Sequence, residues 1–168
     1  MNFPWMPLRI LYLDLHALLY SIDYLNKHED VFDSFKSQKP FCSTDTFLLN
    51  VEPDRLGAQK LAAAAFEAGL LLYPTGNNYT RDLLVKHNVF PDLQLAPYVD
   101  VTSKVRPDDH DPIRRMFAHA NALEAEWFVC GDIASDERFK SFPHRYLVSR
   151  FDEGVSDELI SKIIATKA

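Results

Sequence analysis

Arg9-Ile10-Leu11-Tyr12-Leu13-Asp14-Leu15-His16-Ala17-Leu18-Leu19 is the stretch whose reading decides the fold. From Ile10 to Leu13 apolar residues follow one another without alternation, and a carboxylate, Asp14, ends the run. A short unbroken apolar run suits a strand buried on both faces, as in a parallel sheet with helices on each side. In such sheets ligands sit just beyond the carboxyl ends of the strands, so Asp14 is a site candidate. Two later runs share the design. Leu70-Leu71-Leu72-Tyr73 leads into Pro74-Thr75-Gly76-Asn77-Asn78, and Trp127-Phe128-Val129-Cys130 leads into Gly131-Asp132. Three strand ends of this kind would gather a hydroxyl and several carboxylates around one pocket.

Between these strands the chain alternates. Residues before Leu8 read as a loose lead-in with an exposed Trp5. Tyr20 to Pro53 is the least regular part, mixing aromatics (Tyr24, Phe32, Phe35, Phe41, Phe47) with charges, with helix expected over Asp30 to Lys36. An aromatic-rich excursion directly after the first strand suits a flap over a pocket, or simple packing on the sheet. Asp54 offers an N-cap to an alanine-rich helix through Leu56, Leu61, Ala65 and Phe66, which Gly69 closes. Asn78 is expected to cap a helix holding Leu83, Leu84 and His87. The amides of Gly76 and Asn77 would then lie near a helix N-terminus, a favourable place for phosphate. Tyr98 to Val101 reads as a strand. Pro112 opens a helix with Ile113, Met116, Phe117 and Ala120 on its apolar face. Tyr146 to Val148 is a further strand, and a helix from Ser156 through Leu159, Ile160, Ile163 and Ile164 follows. Strands alternating with helices imply a doubly wound, Rossmann-like parallel α/β sheet, residues 1–168 forming one domain and 20–53 a possible flap or minimal cap.

Composition bounds the function. At 168 residues the chain suits one ordinary core, and 47% hydrophobic with 25% charged residues describes a globular protein. A net charge of -6 argues against unaided nucleic-acid binding, although Lys104, Arg106, Arg114 and Arg115 cluster in sequence. Prolines and Asp14 interrupt the N-terminal apolar region, which does not suit a signal peptide, and no run approaches the roughly 20 residues of a membrane span. Two distant cysteines, Cys42 and Cys130, form no disulfide framework or zinc site, so a reduced cytoplasmic setting is expected.

The chemistry gathers on the acids. Asp132 and Asp136 share the loop Gly131-Asp132-Ile133-Ala134-Ser135-Asp136. Magnesium takes a few carboxylates together with water and phosphate oxygens, which Asp14, Asp132 and Asp136 would supply if they converge.

Asp14 on its strand, Thr75 after the second, Lys104 before a helix, and Gly131-Asp132 with Asp136 after a later strand resemble the four motifs of the haloacid dehalogenase-like hydrolases. The order agrees and the likeness spans nearly the whole chain. Gly154-Val155-Ser156 before a final helix is also similar to a small branch found attached to RNA-repair proteins. The resemblance implies a magnesium-dependent phosphoester hydrolase acting on a small phosphorylated substrate. Asp14 would be nucleophile and metal ligand, forming an aspartyl-phosphate that water hydrolyses. Thr75 would hydrogen-bond the phosphoryl group, with Gly76 and Asn77 beside it. Lys104, or Arg106 as its rival, would neutralise charge. Asp14, the backbone carbonyl of His16, Asp132 and Asp136 would hold magnesium. The departure is His16, where the family's phosphatases carry an aspartate as general acid and base. Imidazole moves protons near neutral pH, so His16 is either an unusual acid/base or the mark of a degenerate domain kept for binding or regulation.

Overall fold

The computed structural model describes residues 7–131, 133, 136–148 and 152–167. Strand β1 (Arg9–Leu13) carries the run that opened the reading, and Ile10, Leu11, Tyr12 and Leu13 all have 0% exposure. Alternation sends Leu11 and Leu13 into one core and Ile10 and Tyr12 into another, on opposite faces of the sheet. Burying each of the aliphatic side chains stabilises the fold by about 1.5–3 kcal/mol, and the one side-chain polar atom of the run, the Tyr12 hydroxyl, is paired with His119. Four parallel strands lie in the order β2-β1-β3-β4, with β2 at Leu71–Pro74, β3 at Glu126–Gly131 and β4 at Tyr146–Val148. Leu13 is in register with Pro74 on one side and Cys130 on the other. The chain therefore leaves β1 towards one edge, then crosses back to lay β3 on its other flank. That reversal makes a switch point at the carboxyl end of β1.

One face is covered by α1 (Leu15–Leu19), α2 (Ile22–Lys27), α4 (Thr44–Asn50), α5 (Arg55–Ala68), α6 (Arg81–Lys86) and α8 (Asp157–Ala165). The other is covered by α7 (Pro112–Ala122) through Ile113, Met116 and Ala120. Helix α3 (Glu29–Ser37) packs against the first core through half-buried Val31, Phe32 and Phe35. The result is an α/β fold, a parallel sheet flanked by helices, consistent with a Rossmann-like architecture. No helix among the described residues is long and apolar enough to cross a membrane.

Several boundaries follow the sequence signals. The Asp54 carboxylate accepts from the Gly57 amide at 2.9 Å, capping α5, and Gly69 ends it at φ +74°. Asp111 caps α7 with Pro112 in its first turn, and Ser156 caps α8. Other expectations are corrected. Leu56 and Phe66 are 63% and 76% exposed, because at 100° per residue both fall opposite the Ala58, Leu61, Ala65, Ala68 face that meets the core. The cap of α6 is Thr80 and not Asn78, since the chain first turns through 76–78 and buries Tyr79. The amides of Gly76 and Asn77 thus belong to a turn, not to a helix N-terminus. Tyr98 to Val101 forms no strand. Leu95 makes a single parallel bridge to Leu72, and Pro97, lacking an N–H, stops the ladder there. Tyr20 to Pro53 is more regular than expected, folding into α2, α3 and α4.

Candidate functional site at the carboxyl edge of the sheet

Asp14 sits where β1 gives way to α1, half-buried, its amide donating to the Cys130 carbonyl at 3.1 Å. Its Oδ2 accepts the Ile133 amide at 3.1 Å, across 119 residues of sequence. Gly131 makes this approach possible. It has φ +104°, and a Cβ there would lie 2.6 Å from the Asp14 Cβ. Only glycine satisfies both the backbone and the space. From the other flank, the Thr75 amide and hydroxyl both donate to the Leu13 carbonyl at 3.0 Å. The structure thus brings the ends of β1, β2 and β3 together as the sequence implied, with the Thr75 hydroxyl turned to backbone.

His16 lies in the first turn of α1. Its ring faces Tyr20, Phe35 and Phe47 at centroid distances of 5.7, 5.9 and 5.8 Å, the last two rings coming from α3 and α4. The residue remains open to solvent on one side, yet this aromatic surround lowers the imidazole pKa below its ordinary value, with the Asp14 carboxylate acting in the opposite direction. Nδ1 meets the Tyr79 hydroxyl at 3.3 Å, and the His16 carbonyl accepts the Tyr20 amide within the helix. Tyr79 is buried, and desolvation with the nearby Asp14 charge pushes its phenol well up, so it stays protonated. Beneath the site Cys130 is fully buried, its thiol raised by desolvation and by Asp14.

The remaining assigned residues are less gathered. Asp132 lies outside the described residues. Asp136 caps a short 3-10 turn (Glu137–Phe139) and binds Arg138 through both oxygens, at 3.1 and 3.2 Å. Those hydrogen bonds hold its carboxyl below the usual range. Arg138 also reaches Asp111, tying this loop to the start of α7. Lys104 is exposed in a turn over 102–104, eight residues ahead of the first residue of α7, and Arg106 is paired with Asp108 at 3.1 Å. A Cβ at Gly76 would lie 3.3 Å from the Pro112 Cβ, so the β2 loop runs close to the start of α7.

Among the described residues no three His, Cys, Asp or Glu side chains cluster closely enough to hold a metal ion. The donor chemistry at Asp14 nonetheless suits magnesium, which takes one or two carboxylates and completes its shell with water and substrate oxygens. Sequence reasoning missed Tyr79, whose bond to His16 spans 63 positions. His119 is buried on α7 and bonded through both nitrogens. The tyrosines flanking Pro74-Thr75-Gly76-Asn77-Asn78 were the available signal for a ring-lined wall at this edge. No family model, curated protein or solved structure matches the chain.

Proposed function

We propose that the chain is a phosphoester hydrolase of the haloacid dehalogenase-like type, working through an aspartyl-phosphate on Asp14 and acting on a small phosphorylated substrate in the cytoplasm. One observation carries the reading. At the switch point beside β1, a half-buried carboxylate is held by the Ile133 amide of the facing loop, with Gly131 flush against it. That is where a parallel sheet binds ligands, and a carboxylate held there is oriented for attack.

In the first step an Asp14 oxygen forms a bond to phosphorus, the bond from phosphorus to the alcohol oxygen breaks, and the departing oxygen takes a proton from water. The Thr75 hydroxyl exchanges the Leu13 carbonyl for a phosphoryl oxygen, and Lys104 or Arg106 swings in to neutralise charge. In the second step water attacks phosphorus, His16 takes its proton, and the Asp14 carboxylate is released. An imidazole with a lowered pKa is neutral near pH 7, which suits the base of the second step better than the acid of the first. The second step uses the tautomer whose Nδ1 hydrogen points to the Tyr79 oxygen, leaving the Nε2 lone pair to take the proton. Asp14 and Asp132, with the His16 carbonyl, would hold magnesium, which when bound neutralises phosphoryl charge. Helices α2 to α4 would be the minimal cap.

A second reading, a degenerate relative kept for binding, is favoured by the aromatic packing over His16 and by the engagement of Asp136 with Arg138. Turnover of phenyl phosphate with and without magnesium separates the two. The wild type is expected to hydrolyse it in a magnesium-dependent manner. Asp14→Asn should fold normally and lose turnover, because the amide cannot attack phosphorus. Undiminished hydrolysis in Asp14→Asn removes the mechanism, and an inert wild type favours the binding module.

A further inference from the structure

A cavity of about 170 Å³ opens beside the site, on its β2 side. Its wall includes the Tyr73 ring stacked on the His119 imidazole, centroids 3.8 Å apart and 18° from parallel. The His119 nitrogens are both engaged. The Pro97 carbonyl, 2.9 Å from Nε2, can only accept, so Nε2 carries the hydrogen and Nδ1 accepts from the Tyr12 hydroxyl at 2.7 Å. The guanidiniums at the wall are engaged too. Arg81 donates to the Ala96 carbonyl and to Asp92, and Arg115 donates to the carbonyls of Arg106, Pro107 and Asp109. Asp100, a carboxylate at the same wall, accepts from the Thr102 amide at 3.0 Å, so the charged groups there are already hydrogen-bonded and the ring faces of Tyr73 and His119 are the surface on which a guest can stack. Tyr98, 70% exposed, stands at the rim.

Size and position narrow the guest. An apolar cavity of about 150 Å³ is enough to take up one benzene ring. The cavity also shares residues with the site. Tyr79 lines it while its hydroxyl meets His16, and Gly76 lines it directly after Thr75, whose donors hold the carbonyl preceding Asp14. The turn from Gly76 to Tyr79 thus borders the cavity and the Asp14 edge alike.

We propose that this cavity receives the six-membered aromatic ring of a phosphomonoester, so that the substrates are phosphate esters of ring-bearing alcohols. The assignment rests on the hydrolase reading for its chemistry, although ring binding itself does not require turnover. Benzyl phosphate and cyclohexylmethyl phosphate test it, since both are esters of primary alcohols and differ in the planarity of the ring. Titrated into the full-length Asp14→Asn chain, benzyl phosphate should bind about tenfold more tightly, as edge-to-face and stacked ring contacts allow. In the same background Tyr98→Ala, an exposed change that leaves the core alone, should abolish most of that preference, and Tyr98→Phe should keep it. The wild type should show the same order in kcat/KM. Equal affinity for the two esters overturns the ring pocket, and so does a preference indifferent to Tyr98→Ala. A Tyr98-dependent preference in a wild type that hydrolyses neither ester upholds the pocket and defeats the hydrolase reading. Hydrolysis of both with equal kcat/KM does the reverse.

Discussion

A methyl group decides whether Asp14 can occupy its position. Gly131 combines φ +104° with a Cβ direction that ends 2.6 Å from the Asp14 Cβ, so alanine is opposed by both torsion and contact. Gly131→Ala should cost about 1–3 kcal/mol of stability, the range for a residue forced into a sparsely populated backbone region, with the urea midpoint as the measure. Because the clash falls on Asp14 itself, the proposed hydrolysis should fall further than the lost stability accounts for. A variant as stable as the wild type would mean that the backbone relaxes and that the close approach is not required. At this scale Asp14, Thr75 and Gly131 were legible, because each ends an apolar run in a residue type that runs of that kind do not otherwise need. The Tyr79 contact to His16 was not, since nothing local in either segment refers to the other.

Helices show the same division between local and distant information. Helix α5 could be bounded from sequence because its cap, its small-residue face and its αL terminator all lie within its own residues. Helix α3 was read to within a residue at each end, whereas α2 and α4, 6 and 7 residues long, were not, being too short for a 3.6-residue period to repeat convincingly. Helices α3 and α4 nevertheless shape the site by setting Phe35 and Phe47 against His16. Phe47→Ala should admit water to the ring and raise the His16 pKa towards the ordinary imidazole value, as read by NMR titration of its ring protons. Desolvation is the leading cause of the lowered value, so an unchanged titration would show that α4 does not supply it.

Across the whole molecule, acid should act in two stages. His16 and His119 both have lowered pKa values through burial, so in mild acid the unfolded chain binds more protons than the folded one. Stability then rises with pH, and the part these residues contribute is lost as pH falls through their folded values. The urea midpoint should therefore decline from about pH 7 to about pH 5, before the carboxylates titrate. A later stage follows as Asp45, Asp111 and Asp136, all held low by hydrogen bonds, and Asp109, lowered to about 2 chiefly by Arg114, take up protons. A midpoint flat over the first interval would show that these two imidazoles protonate without penalty. The parallel sheet was legible at this scale from three unbroken apolar runs. The strand lost at Tyr98 was not, because the sequence shows a suitable run but not that Pro97 and the His119 bond draw it off the sheet.

The switch point has a consequence for the order in which the molecule comes into being. Asp14 meets Ile133 only by closing a span of 119 positions, and β1 has its β3 neighbour only once Glu126–Gly131 is in place. Closing that span costs only about 0.6 kcal/mol more than pairing Ile10 with Leu71, so the delay comes chiefly from β3 being made after β1 and β2. Until then the central strand is a border strand, with one row of backbone groups open to any other chain. On the proposed hydrolase reading, chemistry at Asp14 is thus late to become possible, and a nascent or truncated chain that stops short of β3 would carry the acid, the threonine and the ring-lined wall without the edge that joins them.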